Sequence, residues 1–304
     1  MKNSLKKYSH QFHCMTTPCE VQLYAKNAKL ADKVARSIEE NTRRLEKKYN
    51  FFSNDSFISE INNRQGSTLK IDDETYTVLS LVQMLSKKTQ ACFDITVGTL
   101  KQCSKLPSVA EIEACRARLT PFTGADKWQL INNNTLKFAN EHVKLDLGGV
   151  IKEFAVDEAG KIAKQAGMSA LINFGGDIYV NDKKPDGSLF TVAIKNPKNP
   201  KENIALLQLS NQGLTTSAHY ERSTLVEGRS YSHIINAANT ANSDEKESSN
   251  NSSEIISATV ISHSVLTSGI YSTSLMINAK LIVDNNINVV LIDDQLRLHQ
   301  NILK

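Results

Sequence analysis

The chain has 304 residues, of which 40% are hydrophobic and 22% charged, with 13 glycines and 6 prolines. This ordinary globular composition provides a large apolar core and excludes collagen-like, mucin-like and wholly disordered chains. The 36 basic and 32 acidic residues give a net charge of +4, which is too small to indicate nucleic-acid binding. No apolar run in the sequence reaches the about 18 residues that a membrane helix requires.

The N-terminal residues and the cysteines indicate the cellular location of the protein. Residues 1–10 contain lysines, but no apolar stretch follows them as a secretory signal requires, so we expect a cytoplasmic protein. The five cysteines are an odd number, which fits reduced thiols. Cys14 and Cys19 lie near His13, but no second ligand pair with zinc spacing accompanies them. We therefore expect both cysteines to be small core residues.

Hydrophobic periodicity predicts the elements of the N-terminal half. In chain order they are a strand at 21–24, helices at 28–49, 72–92 and 108–118, a turn into a buried edge at 93–100, and a hairpin over 128–147. The hairpin is indicated by an Asn-rich turn between two alternating runs, and we expect VKLDL at 143–147 to continue it as a strand.

The C-terminal half predicts more strands than helices. A helix at 151–166 ends at Gly167, which suits a left-handed C-cap. The other predicted elements are strands at 171–174, 177–180, 190–195, 204–209, 257–261 and 288–292 with a short hairpin partner, and a helix at 266–277. The polar run SDEKESSNNSSE at 243–254 predicts a disordered insertion. These elements favour one α+β domain over 1–304 with a largely antiparallel sheet, in which two packed lobes are possible.

The segment LDLGGVIKEFAVD at 145–157 carries the strongest chemical signal. Gly148 and Gly149 stand where a predicted strand runs into a helix, so the backbone can approach a ligand there and its N–H groups favour an anion. Lys152 lies in the first helical turn, where a cation opposes the helix dipole, and therefore indicates an anionic partner such as phosphate. A tight turn followed by a solvated lysine is the alternative interpretation.

Other polar turns are weaker signals. Asp177 follows a second double glycine and either accepts hydrogen bonds from ribose hydroxyls or a ring N–H of a ligand, or caps a turn. Thr216 lies among hydroxyl residues, and His233 is either a structural histidine or a base. The sequence contains no P-loop, GxGxxG, HExxH or GxSxG motif. Several glycine- and hydroxyl-rich turns spread along the chain suggest one extended ligand, of the size of a dinucleotide.

Seven segments, in order, resemble the ApbE family of FAD:protein FMN transferases. They are FHCMTTPCEVQLY at 12–24, NDSFISEIN at 54–62, FDITVGTL at 93–100, LDLGGVIKEFAVD at 145–157, LINFGGDIYV at 171–180, TSAHYER at 216–222 and YSHIINAANT at 231–240. The resemblance implies an α+β fold that binds FAD across these turns. It also implies Mg²⁺-dependent transfer of FMN to a Thr or Ser hydroxyl of an acceptor protein, with release of AMP.

The resemblance also implies roles for individual residues. Lys152 would meet phosphate and act in catalysis, with His233 as the base for the acceptor hydroxyl. The carbonyl of Ile151 and the hydroxyl of Thr273 would face the metal. The residues implied in FAD binding are Met15, Asn62, Asp146, Gly148, Gly149, Lys152, Asp157, Asp177 and Thr216.

The sequence departs from the family pattern near the predicted metal ligands. Gly269 stands where the family has a metal-binding Asp, and Glu153 stands where it has a glycine. Glu153 either replaces the missing carboxylate or is an exposed first-turn glutamate that suits the helix dipole. Two alternatives to the transferase therefore stay open: a family member that binds FAD without transfer, and a pyrophosphatase that passes FMN to water.

Overall fold

The computed structural model describes residues 5–132, 134–218, 223–226, 229–232 and 254–301. The helices are Ala28–Tyr49 (α1), Phe57–Asn62 (α2), Asp73–Lys88 (α3), Gly98–Lys101 (α4), Val109–Leu119 (α5), Ile151–Gln165 (α6) and Val265–Ile277 (α7). The strands are Lys6–Cys14 (β1), Thr17–Ala25 (β2), Thr68–Lys70 (β3), Trp128–Ile131 (β4), Thr135–Phe138 (β5), Ser169–Phe174 (β6), Asp177–Asn181 (β7), Phe190–Asn196 (β8), Asn199–Leu209 (β9), Gln212–Ala218 (β10), Ser223–Val226 (β11), Arg229–Ser232 (β12), Ile255–Ser262 (β13), Asn288–Asp293 (β14) and Leu298–Asn301 (β15).

The centre of the fold is an eight-stranded sheet with the order β1-β2-β6-β7-β10-β13-β14-β15. Each neighbouring pair in it is antiparallel. Three smaller sheets have the orders β3-β5-β4, β8-β9 and β11-β12. The α+β class with a largely antiparallel sheet is thus confirmed.

Three helices cover the sheet and enclose the main core. Helix α1 packs on α6, β1 and β2, while α6 packs on β6 and β7, and α7 packs on β10 and β13. Asn27 caps α1 by accepting a hydrogen bond from the Leu30 N–H at 3.0 Å. The buried residues of α1 recur at helical spacing and face the core; they are Ala31, Ala35, Ile38, Thr42, Leu45 and Tyr49.

A small separate cluster forms around α4 and α5, and it contains a disulfide. Cys103 and Cys115 are bonded, with their Cα atoms 5.6 Å apart. The expectation that all five cysteines are reduced is therefore wrong. Cys14 and Cys19 are free and buried, as expected for core residues. Burial raises the pKa of the Cys14 thiol to about 12 and that of Cys19 to about 11, which keeps both unreactive.

One strand was missed and one strand prediction is wrong. Strand β1 was not predicted, and residues 143–147, predicted as a strand, pair with no strand in the described ranges. Val143, Leu145 and Leu147 are fully buried, as their alternation predicts. Their backbone is instead held by loops; for example, the Asp146 N–H donates to the Ile95 carbonyl at 2.7 Å.

Some predictions fall outside the described residues. The predicted insertion at 243–254 lies there except for Glu254, and so does His233. In the part of the chain that is described, no helix is both long and apolar enough to cross a membrane.

Candidate functional site

The predicted turns converge at one end of the large sheet. Strand β2 begins there at Thr17, β6 ends at Phe174, β7 begins at Asp177 and β10 ends at Ala218, because their antiparallel register places these termini side by side. The first turn of α6 reaches the same place, since Lys152 contacts Asp177. Segments that are far apart in sequence therefore form one site.

The Gly175–Gly176 turn between β6 and β7 requires glycine. Its φ angles are +62° and +102°, a region that favours glycine. A Cβ on Gly175 would lie 1.9 Å from the Thr17 hydroxyl oxygen, so no side chain fits there. The Gly176 N–H donates to the side chain of Asn173 at 2.8 Å. Both glycines are exposed and leave backbone open to a ligand.

The Gly148–Gly149 turn leads into α6 and is held by Asp146. One oxygen of the Asp146 carboxylate accepts a hydrogen bond from the Gly148 N–H at 3.0 Å. The other contacts the Lys101 ammonium at 2.5 Å. Both glycines are exposed, so the start of α6 presents backbone to solvent at a positive helix end.

Asn62, at the end of α2, fixes the segment before this turn. Its side-chain amide donates to the Leu145 carbonyl at 2.9 Å and accepts from the Leu145 N–H at 2.7 Å. This pair of hydrogen bonds takes the place of a strand partner for the segment. Asn62 therefore positions the glycine turn, and its direct contact with FAD stays a prediction.

Lys152 has the anionic partner that its position in α6 requires, and that partner is Asp177. The Lys152 ammonium and the Asp177 carboxylate are 2.6 Å apart, with 19% and 5% of the two side chains exposed. The solvated-lysine interpretation is thus wrong. A phosphate contact for Lys152, beside or in place of Asp177, stays a prediction.

Asp157 joins α6 to α7. Its carboxylate accepts hydrogen bonds from the N–H groups of Val265 at 2.7 Å and Leu266 at 3.0 Å, the first residues of α7. Desolvation between the two helices raises the pKa of Asp157 from 3.8 to about 7. The structure thus gives Asp157 a helix-capping role, and its contact with FAD stays a prediction.

Glu153 and Gly269 meet between the same two helices. Glu153 is only 7% exposed, so the interpretation as an exposed first-turn glutamate is wrong. Hydroxyl groups lie on the adjoining turn of α7 and the end of β10: the Ser217 hydroxyl is 2.8 Å from that of Ser272 and 3.3 Å from that of Thr273. The predicted metal residue Thr273 thus belongs to a cluster of hydroxyl groups, and it lies one helical turn after Gly269, on which Glu153 packs.

The remaining predicted site residues are in local contacts of their own. The Met15 N–H donates to the Glu46 carboxylate at 2.5 Å. The Thr216 hydroxyl is 2.8 Å from that of Thr259 on the neighbouring strand. Ile151 is buried as the first residue of α6. The proposed base His233 lies outside the described residues, so its role stays a prediction.

Sequence reasoning missed an aromatic pair beside the glycine turn. The Lys101 ammonium lies 4.9 Å from the Phe51 ring centroid and 5.0 Å from that of Phe52. Phe52 is 71% exposed, although exposing an aromatic ring to water is unfavourable. Two consecutive phenylalanines within the polar segment 50–64 were the available signal.

A divalent cation fits this site only in combination with other ligands. Within the ranges described, no three His, Cys, Asp or Glu side chains lie close enough to hold a metal. However, Mg²⁺ typically takes one or two carboxylates and completes its shell with water and substrate phosphates. The buried carboxylate of Glu153 and the hydroxyl of Thr273 are oxygen ligands of that kind, so the donor set fits Mg²⁺ when phosphate is present.

The fold and the site define an α+β protein with a polar, anion-favouring ligand site at one end of an antiparallel sheet. The sequence model of the ApbE family matches residues 15–284, and the chain belongs to this family. The chain is 26% identical to the FAD:protein FMN transferase of Buchnera aphidicola over 271 residues, covering 84% of this chain and 73% of that protein. It is 25% identical to the enzyme of the same name from Klebsiella pneumoniae, covering 83% and 72%.

Solved structures share the fold. The ApbE protein of Thermotoga maritima superposes with a TM-score of 0.82 at 22% identity, covering 97% of each chain. The flavin transferase ApbE of Vibrio cholerae gives a TM-score of 0.78 at 20% identity, covering 97% of this chain and 96% of that chain. At these identities the similarity establishes the architecture.

Proposed function

We propose that this protein is a FAD:protein FMN transferase, which moves FMN from FAD to a Thr or Ser hydroxyl of an acceptor protein and releases AMP. The observation that carries the proposal is the family match over residues 15–284, whose relatives bear this name. The end of the sheet supports it, because two exposed glycine turns and a lysine–aspartate pair meet there.

The chemistry is a substitution at phosphorus. The acceptor oxygen forms a bond to the FMN phosphorus, the bond from that phosphorus to the AMP oxygen breaks, and the hydroxyl proton passes to a base. The Gly149 N–H at the start of α6 and the ammonium of Lys152 can stabilise negative charge on the phosphates. We assign the base to His233, as the resemblance implies.

The ring systems of FAD need aromatic or apolar faces. Phe52 offers an exposed ring next to the Gly148–Gly149 turn, with Lys101 between them. Stacking of a base on an aromatic side chain contributes about 1–3 kcal/mol. We therefore add Phe52 to the residues that hold FAD.

Mg²⁺ would neutralise phosphate charge during the transfer. We assign Thr273 and the Ile151 carbonyl as protein groups that hold it, as the resemblance implies. The FAD-binder alternative rests on the absence of a carboxylate at 269, and the buried carboxylate of Glu153 beside Gly269 argues against it.

Incubation with FAD, Mg²⁺ and a protein that accepts covalent FMN from an ApbE relative tests the proposal. We expect a fluorescent acceptor band on a denaturing gel, and release of AMP in equal amount. Lys152→Ala should abolish the band. Bound FAD without a band would favour the binder, whereas free FMN and AMP in the presence of acceptor would favour the pyrophosphatase.

FAD should bind more tightly than FMN, because the AMP half adds contacts; equal affinities in fluorescence titrations would argue against a dinucleotide site. The cytoplasmic location stays a prediction. The Cys103–Cys115 disulfide is an observation against a reducing compartment.

A further inference from the structure

Helices α6 and α7 lie side by side and meet at two levels. At one level the Asp157 carboxylate accepts hydrogen bonds from the N–H groups of Val265 and Leu266. Residues four apart lie on the same face of a helix. Glu153, one turn before Asp157, therefore faces Gly269, one turn after Val265. The second level of contact is formed by these two residues.

At this second level, a side chain at 269 would collide with the Glu153 side chain in its present position. A Cβ on Gly269 would lie 2.8 Å from Cγ and 3.4 Å from the carboxyl carbon of Glu153. The first distance is shorter than carbon atoms tolerate without displacement. The absence of a side chain at 269 thus allows the Glu153 carboxylate to lie buried against α7.

The surroundings of this carboxylate supply further oxygen ligands. Thr273 lies one turn beyond Gly269, and its hydroxyl belongs to the cluster with Ser217 and Ser272. The neighbouring ammonium of Lys152 contacts Asp177 at 2.6 Å. A carboxylate that packs on Gly269 and a hydroxyl one turn further along α7 are oxygen ligands of the kind that a hard divalent cation takes.

We propose that Glu153 is the carboxylate ligand of a divalent cation, in place of an acid at 269, and that Gly269 is the residue that makes room for it. The proposal rests on the proposed function, since the phosphates of FAD complete the coordination shell. The metal ligand thus lies on α6, and the glycine that leaves space for it lies on α7.

Mn²⁺ serves as the probe, because its free concentration is read directly by electron paramagnetic resonance. The full-length chain is titrated with Mn²⁺ in the presence of saturating FAD. Glu153→Gln keeps the size of the side chain and removes its charge, and we expect Mn²⁺ affinity to fall by roughly tenfold or more. The melting temperature without metal checks that the variant is folded.

A pair of double variants isolates the carboxylate from the packing. Glu153→Gly/Gly269→Asp moves the acid to α7, whereas Glu153→Gly/Gly269→Ala adds the same Cβ without an acid. We expect the first to recover Mn²⁺ binding and the second to stay as weak as Glu153→Gly. Gly269→Ala alone should weaken Mn²⁺ binding, because the new Cβ displaces Glu153.

Equal Mn²⁺ affinity of wild type and Glu153→Gln would overturn the proposal, as would a wild type that binds no Mn²⁺ with FAD. If both aspartate and alanine double variants recovered binding, the carboxylate would not be the ligand. The transfer assay is read separately. If the acceptor is labelled but Glu153→Gln binds Mn²⁺ as tightly as wild type, only the inference about Glu153 is refuted. If Mn²⁺ binding depends on Glu153 but the acceptor is not labelled, only the proposed transferase activity is refuted.

Discussion

Replacing Asp157 by asparagine should change how the stability of the protein depends on pH. Its carboxylate accepts two N–H groups at the start of α7, and desolvation raises its pKa from 3.8 to about 7. An acid with a raised folded pKa binds its proton more tightly in the folded state. Its contribution to stability is therefore most favourable below the unfolded pKa and declines as the pH rises toward the folded pKa.

The size of this effect follows from the two pKa values. Each unit of difference corresponds to about 1.4 kcal/mol, so ionisation of Asp157 removes roughly 2.5 kcal/mol of unfolding free energy between pH 5 and pH 8. Asparagine does not ionise and lacks this dependence, but it has one acceptor oxygen instead of two. The amide nitrogen of asparagine cannot accept a hydrogen bond from an N–H group, whereas the hydroxyl oxygen of a protonated carboxyl can, so the substitution costs about 1–2 kcal/mol at every pH.

Urea denaturation of wild type and Asp157→Asn at pH 5 and pH 8 measures the difference. We expect the variant to be less stable than wild type at pH 5 and to match or exceed it at pH 8. Glu158→Gln, which removes a neighbouring carboxylate that pairs with Lys161 at 2.6 Å, controls for the loss of one charge. Parallel pH profiles of wild type and Asp157→Asn would refute the reasoning.

Three further substitutions test the turns around the site. Lys152→Ala removes the ammonium that pairs with the buried Asp177 carboxylate and should lower the unfolding free energy by roughly 3 kcal/mol in urea denaturation. Adding Asp177→Asn to this variant should restore part of the loss. No loss of stability in Lys152→Ala would contradict a structural role for the pair. Gly175→Ala should be less stable than Gly176→Ala by about 1 kcal/mol or more and should melt at a lower temperature. Both glycines have a positive φ, but only a Cβ at 175 meets a side chain, that of Thr17. Equal melting temperatures would mean that the Thr17 contact relaxes. Asn62→Ala removes two hydrogen bonds, should cost about 2 kcal/mol, and should weaken FAD binding in fluorescence titrations; unchanged affinity would show that the turn does not depend on Asn62.

Much of the fold follows from periodicity. The amphipathic pattern at 28–49 gives the bounds of α1, and Gly167 lies after the end of α6 with φ +66°. Strand β1 escaped prediction because Tyr8, Phe12 and Cys14 are the only apolar residues among its 9, so its alternation is weak, and it is held by pairing with β2. The segment 143–147 shows the converse: its alternation predicted which side chains are buried, but it could not reveal that the side chain of Asn62 replaces a strand partner.

The candidate site was predicted as a set of turns, but the contacts within it were not. A lysine at the start of a helix indicates an anion, yet the sequence does not indicate that Asp177, 25 residues later, supplies it. Likewise, the side-chain type of Glu153 is compatible with exposure or burial. Its burial depends on the absence of a Cβ at Gly269, which belongs to another helix. Such pairings arise from tertiary packing and leave no periodic signal.

The disulfide links the anchoring of the glycine turn to the redox state of the surroundings. Cys103 and Cys115, 12 positions apart, close a loop that includes most of α5 and restrict the unfolded chain, which in a chain-entropy estimate stabilises the folded state by about 3 kcal/mol. Lys101, two residues before Cys103, reaches the Asp146 carboxylate that holds Gly148. Reduction of the bond frees this cluster to open locally at lower cost. We therefore expect thiol reductants to loosen the support of the Lys101–Asp146 ion pair that anchors the glycine turn.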